Sequence, residues 1–199
     1  AAAMLGVKQG MSLSAAHILG DLIVLRRDEI AEQKALKRLC AWALQFSPVV
    51  SVESNDGLLI EVKGSLKLFG GADALFSRMR NSLKELGYKP YIAIAPTPLG
   101  AAVLARAEKP TIITSNEQLI GAINQLPLNV LRLPKEQLSV LHSIGARVIA
   151  DCLRLPRGGL GRRSSPQLLQ TFDQLCGRLP DLRVFITNRR KSSKATSPG

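Results

Sequence analysis

Apolar and polar positions alternate in two different periods along this chain, and they divide it. Residues 11–20 (MSLSAAHILG) predict a short helix, with Gly20 as its C-terminal stop. Leu22-Ile23-Val24-Leu25 predicts a short buried strand. Asp28 is placed to cap a longer helix whose Ile30, Leu36, Leu39, Cys40, Ala43 and Phe46 hold helical spacing until Pro48 ends it. The period then shortens. Val49–Ser54 and Leu58–Val62 are β-branched runs separated by Asn55-Asp56-Gly57, a tight-turn signal, so a β-hairpin is expected.

Beyond Gly70-Gly71 the helical period returns, with Leu75, Met79, Leu83 and Leu86 on one stripe. Tyr91–Ile94 reads as a buried strand, 99–107 as a small-residue helix, Pro110–Ile113 as an extended segment and Asn116–Ile123 as another helix. Strand, strand, helix, strand is most of a split βαβ unit, so the fold class is α+β. A ferredoxin-like sheet has a further strand and helix ahead of these, and none reads in the first ten residues, so the pattern looks truncated or begun mid-fold. Residues 124–134 (NQLPLNVLRLP) form a proline-punctuated junction. After it come short helices at 135–142, 147–153 and about 166–176, with turns at Ser143-Ile144-Gly145 and Arg157-Gly158-Gly159. From Asn188 the polar, basic NRRKSSKATSPG reads as a disordered tail.

Composition narrows the function classes. The 199 residues are 46% hydrophobic and 21% charged, enough for real cores and unlike a disordered polar chain. The net charge of +12 is uneven: residues 1–130 carry 14 Lys/Arg against 11 Asp/Glu, and residues 131–199 carry 13 against 4. That asymmetry points to a polyanion met mainly by the C-terminal part. No apolar run reaches the roughly 18–20 residues of a membrane span, and AAAMLGVKQG lacks a signal-peptide layout. Cys40, Cys152 and Cys176 are too few and too scattered for a disulfide framework, which makes a reducing cytoplasm the default. With only His17 and His142 besides, no Cys/His zinc site can be assembled. Aromatics at 4% argue against a surface of stacked bases.

Candidate chemistry centres on Glu53, Asp56 and Glu61, on or beside the hairpin. A sheet-borne acidic cluster is how two-metal phosphoryl-transfer sites hold Mg²⁺. Alternatively, Asp56 supplies turn chemistry and the glutamates face solvent.

Residues 46–61 (FSPVVSVESNDGLLIE) resemble, without a gap, the segment of Y-family translesion DNA polymerases (UmuC/DinB-like) that carries the Ser-x-Asp-Glu motif. Ser54-Asn55-Asp56-Gly57 stands at that motif, and Glu61-Val62-Lys63-Gly64 follows where the family has Asp-Val-Thr-Gly. Gly6-Val7-Lys8-Gln9-Gly10-Met11 is similar to the family's Gly-Ile-x-x-Gly-Met, Ile92-Ala93-Ile94-Ala95 to its palm strand, and Lys109-Pro110 to the Lys-Pro closing the next helix. The ImuB-type, polymerase-like branch is closer still, through Gly64–Gly71, Ala95-Pro96-Thr97-Pro98-Leu99 and Leu131-Arg132-Leu133-Pro134. The likeness covers about residues 1–180.

This resemblance implies a partial ferredoxin-like palm with small fingers over residues 1–124. A small all-α helix-hairpin-helix thumb follows over 125–180, and a basic, disordered tail over 181–199. Active members use one carboxylate on a first palm strand and the Asp-Glu pair of the hairpin. Here the first strand is absent and Gly57 replaces the Glu, leaving a vestigial Asp56 beside Ser54 as the one candidate ligand for Mg²⁺. Thr97-Pro98 stands where the family has an Asn-Lys pair, and Ile30 roughly where it has a fingers tyrosine. These losses imply a catalytically inactive, polymerase-shaped DNA-binding adaptor of damage tolerance and induced mutagenesis, requiring no cofactor. By resemblance its partners are DNA, a replicative-type error-prone polymerase, a RecA-like accessory protein and the sliding clamp, in the cytoplasm and with no membrane. The competing reading is an active translesion polymerase fragment that uses Mg²⁺ and recruits Glu53 or Glu61.

In the thumb-like region, Arg132, Arg147, Arg154, Arg157, Arg162, Arg163 and Arg178 are spread over short helices and turns, either as a solvated face or as phosphate contacts. Arg132, Gly145, Arg147, Arg157, Arg162 and Arg163 are the DNA-backbone candidates, independent of base sequence. The family's Gly-Ile-Gly hairpin corresponds to Arg132-Leu133-Pro134, while Ile144-Gly145 keeps the second turn's glycine, so arginine side chains are expected to matter more than backbone amides. His142 is read as ending a helix and Cys40 as core; Trp42, off the apolar stripe, either marks a partner surface or packs inward.

Overall fold

The computed structural model describes residues 2–8, 10–53, 57–156 and 166–186. Contacts divide the chain into two units, Ala1–Ala35 and Leu36–Gly199.

The first unit holds a 3₁₀ turn (Ala2–Leu5), helix α1 (Leu13–Ile18) and the start of α2 (Glu29–Ala43). Ser12 caps α1 by accepting from the Ala15 amide at 3.2 Å, and Asp28 caps α2 by accepting from the Ala31 amide at 2.9 Å. Arg27 grips Glu32 through Nε and Nη2, one edge of its guanidinium, just outside that cap, at 2.7–3.0 Å. The strand expected at Leu22–Leu25 does not form. Those residues are irregular, with Ile23 92% and Leu25 87% exposed. Four apolar residues make a strand only against a ladder partner, and the described residues of this unit offer none.

In the second unit, β1 (Val50–Glu53) and β2 (Gly57–Ile60) pair antiparallel from Val50↔Ile60 to Glu53↔Gly57. The hairpin expected from sequence is present, but Gly57 is already a paired strand residue opposite Glu53. Its φ lies outside the left-handed region, so it is not a turn glycine. Helix α3 (Ala72–Glu85) buries Leu75, Phe76, Met79 and Leu83, while Leu86 is its exposed C-cap. Leu75, Met79 and Phe46 form a small core lined by Trp42, Ile60, Leu66 and Phe69. Trp42 resolves inward: its indole N–H donates to Ser82 Oγ at 2.9 Å and its ring meets Phe46 edge-on at 5.0 Å.

Strand β3 (Ala93–Ile94) pairs parallel with β4 (Thr111–Ile112), joined by α4 (Pro98–Arg106). Then follow α5 (Asn116–Ile123), a 3₁₀ turn (Leu128–Leu131), α6 (Lys135–Ser143), α7 (Ile149–Arg154) and α8 (Pro166–Leu175). One core runs through all of these, from Leu99, Val103 and Leu104 through Leu119 and Ile123 to Leu141, Ile149, Leu168, Phe172 and Leu175. Apolar burial is thus continuous across the proline-rich junction. Gly100 is the tightest approach within it, since a Cβ there would lie 2.6 Å from Leu119 Cδ2.

Residues 181–186, the first part of the expected tail, are described. Asp181–Ile186 is fastened to the hairpin, with an antiparallel bridge between Ile186 and Val50. Residues 187–199 lie outside the described residues.

Candidate functional site

At the end of β1, Glu53 is largely enclosed, with its side chain 13% exposed. Arg106 Nη2, from the last turn of α4, donates to Glu53 Oε1. Arg183 Nη1 donates to Glu53 Oε2, and Arg183 Nη2 donates to Asp181 Oδ2 at 2.6 Å. Arg106 also donates through Nη1 to the Val130 carbonyl at 3.1 Å. Both carboxylate oxygens of Glu53 are therefore held, each by one nitrogen of a different guanidinium, in charge-assisted hydrogen bonds.

Glu61 cannot join this group. Its amide pairs with the Val49 carbonyl at 3.0 Å, four ladder steps from Glu53, which at strand rise is about 13 Å. Its carboxylate accepts from the Lys63 amide at 2.8 Å. Gly57, opposite Glu53, offers no oxygen. Ser54, Asn55 and Asp56, including the one candidate metal ligand, lie outside the described residues. Among the described residues no three His, Cys, Asp or Glu side chains gather to hold a metal. A pair of divalent ions requires several carboxylates free to ligate, and among the described residues Glu53 is engaged by arginines and Glu61 lies apart from it.

The nucleotide-side positions are equally committed. Thr97 is buried; its hydroxyl accepts from the Gly100 amide at 3.0 Å as the α4 N-cap and donates to the Leu175 carbonyl at 3.1 Å. Pro98 occupies the first turn of α4, where its missing N–H costs nothing. Thr97-Pro98 thus closes α4 onto α8 rather than presenting a cation.

In the basic region, Arg132 takes a left-handed conformation, φ 52°, which normally favours glycine. It does so where the resemblance aligns a glycine. Gly145 turns the chain between α6 and α7 at φ 84°. The amides of that turn are already used. Those of Ile144, Gly145 and Ala146 bond back to Val140, His142 and Leu141, and those of Arg147 and Val148 donate to Asp151 Oδ2 at 2.8 and 3.0 Å. Those two amide bonds hold the Asp151 carboxyl below the usual carboxylate range. Arg147 Nη1 reaches back to the His142 carbonyl at 3.3 Å. Arg157, Arg162 and Arg163 lie outside the described residues. Arg178 pairs with the buried Asp173 at 3.6 Å.

Residues 1–106, just over half the chain, match the sequence profile of the impB/mucB/samB family. The chain belongs to that family. Protein ImuB of Caulobacter vibrioides, from strains NA1000 / CB15N and ATCC 19089 / CIP 103742 / CB 15, is 30% identical over 168 residues, 84% of this chain and 37% of the relative. Among solved structures, a DinB family error-prone DNA polymerase from Sulfolobus solfataricus superposes with a TM-score of 0.68 at 19% identity, covering 92% of this chain and 57% of its own. A Dbh ternary complex gives 0.67 at 16%, covering 92% and 56%, and an insertion ternary complex of Dbh DNA polymerase gives 0.68 at 15%, covering 92% and 55%. The chain is an ImuB homologue with the polymerase fold, and it spans little more than a third of the curated relatives and just over half of the solved ones. No described helix is long and apolar enough to cross a membrane.

Sequence reasoning placed the hairpin and the α6–α7 turn but put Gly57 in the turn rather than in β2, and it missed the partners of Glu53. Arg106 reads as an ordinary helix C-terminal cation, and Arg183 is 130 residues from Glu53. No local spacing signals that meeting. Cys40 is buried, as expected of a core residue; burial pushes the Cys40 and Cys176 thiols up and Cys152 to about 11, so none is a ready nucleophile.

Proposed function

We propose that this chain is the palm- and thumb-like part of a polymerase-shaped DNA-binding protein without nucleotidyl-transfer activity, acting as an adaptor in induced mutagenesis. The observation that carries the reading is the hairpin carboxylate Glu53, held on both oxygens by Arg106 and Arg183 with a glycine opposite it. A site built to organise divalent ions leaves its carboxylates open to them. This one has guanidinium groups in their place. The identity with ImuB, and the neighbours solved as ternary complexes, support the adaptor and DNA-binding roles.

DNA contact is assigned to side chains of the thumb-like region, Arg132, Arg147, Arg157, Arg162 and Arg163. Asp151 has taken two of the amides that would otherwise face a phosphate at the Gly145 turn, so backbone recognition at that turn is weak and arginine charge carries affinity. By the same resemblance the partners are an error-prone replicative-type polymerase, a RecA-like accessory protein and the sliding clamp, and the compartment is the cytoplasm. Primer extension with Mg²⁺ or Mn²⁺ on the natural full-length protein tests the first claim. No incorporation is expected; incorporation that disappears in Asp56→Ala favours the active-polymerase reading instead.

A further inference from the structure

β1 has β2 on one edge, and on its other edge Ile186 meets Val50. The Ile186 amide donates to the Val50 carbonyl at 2.7 Å in an antiparallel bridge. Counting three residues forward from Val50 and three back from Ile186 brings Glu53 opposite Arg183, and those two are ion-paired. The main-chain bond and the side-chain pair obey one register. In that register Ser51 faces Phe185 and Val52 faces Val184.

The segment's pattern is inverted. Asp181 and Arg183, on the inward side, have side chains only 7% and 22% exposed, while Leu182 and Val184 are 87% and 90% exposed. Apolar burial therefore does little to hold it. What holds it is the chain Asp181–Arg183–Glu53–Arg106, which ends on α4. We propose that Asp181–Ile186 is a charge-latched edge strand, with Arg183 as the bolt that bridges Asp181 and Glu53, and that its release bares the main-chain edge of β1. An uncovered edge of this kind pairs readily with another extended strand, so the latch governs whether the hairpin is available for such pairing. This inference is independent of DNA binding.

Amide hydrogen exchange on the full chain, read by mass spectrometry, tests it. Arg183→Ala is expected to speed exchange of peptides covering 181–186 and 49–53 about tenfold or more, with the α5 peptide unchanged. In the unaltered protein the same peptides exchange faster as salt rises, because the contact is ionic. The register is checked separately by oxidising Ser51→Cys with Phe185→Cys, which face each other, against Val52→Cys with Phe185→Cys, which point to opposite faces. Only the first pair is expected to cross-link. Unchanged exchange in Arg183→Ala, or equal cross-linking of both pairs, overturns the latch.

Discussion

The hairpin and the α6–α7 turn are both places where a polymerase-like frame survives, but they have lost opposite things. At the hairpin the backbone pairing is intact and the chemistry has been neutralised: Glu53 is consumed by two arginines and Gly57 contributes nothing. At the turn the geometry is intact and the backbone donors have been consumed, by Asp151, while the surrounding sequence keeps its positive charge. An enzyme requires its acidic groups to be open, whereas a DNA-backbone binder requires only that cations remain. The proposed reading, binding without catalysis, rests on that difference.

The sharpest way to break this contrast is to remove Glu53. Glu53→Gln leaves the partly buried Arg106 without its counter-ion and Arg183 with Asp181 alone. We expect a loss of about 2–4 kcal/mol in urea unfolding, below the full cost of breaking a deeply buried pair because these side chains keep some solvent. A change under about 0.5 kcal/mol would mean that the carboxylate is a surface group after all.

Changes at Thr97 and Gly57, two positions that depart from the family pattern, should cost stability rather than return activity. Thr97→Val removes both the α4 cap and the bond to the Leu175 carbonyl, with an expected loss of about 1–3 kcal/mol by thermal or urea denaturation. Gly57→Glu places a second carboxylate opposite Glu53, with its Cβ 3.3 Å from the Glu53 carbonyl oxygen. No primer extension is expected from it; extension regained by this single change would show that the hairpin is still a metal site.

For the thumb-like side, Arg162→Ala with Arg163→Ala is expected to reduce the slope of log affinity for duplex DNA against log salt by about 1.8, two phosphate contacts' worth. An unchanged slope would place those arginines away from the phosphates.

The legible and illegible parts of the sequence divide along the same line. Asp28, Thr97 and Ser115 act within a few residues of their own positions, so helix starts could be read from pattern and chemistry. The stripe on α3 was legible for the same reason. Leu22–Leu25 misled because a four-residue apolar run says nothing about whether a partner strand exists. Val50 and Ile186, like Glu53 and Arg183, meet across more than 120 residues, and their pairing is a product of the tertiary fold. The candidate site was therefore half visible: the glycine at position 57 could be seen in the sequence, but the two arginines that hold Glu53 could not.

The smallest expected effect concerns Asp151, and it tests whether that carboxylate really owns the turn. Its pKa is lowered in the folded chain by the Arg147 and Val148 amides, so the folded state favours the ionised form. The stability that follows is fully present above the unfolded carboxylate's pKa and is lost as pH falls through the depressed folded value. Asp151→Asn removes this contribution, so the stability difference between variant and parent should be greatest near neutral pH and shrink on acidification below about pH 4. Deleting the negative charge should also tighten duplex DNA binding slightly at low salt, because a phosphate at this turn would no longer face a carboxylate. A pH-independent stability difference, with DNA affinity unchanged, would mean that Asp151 is only a cap and that the phosphates pass elsewhere.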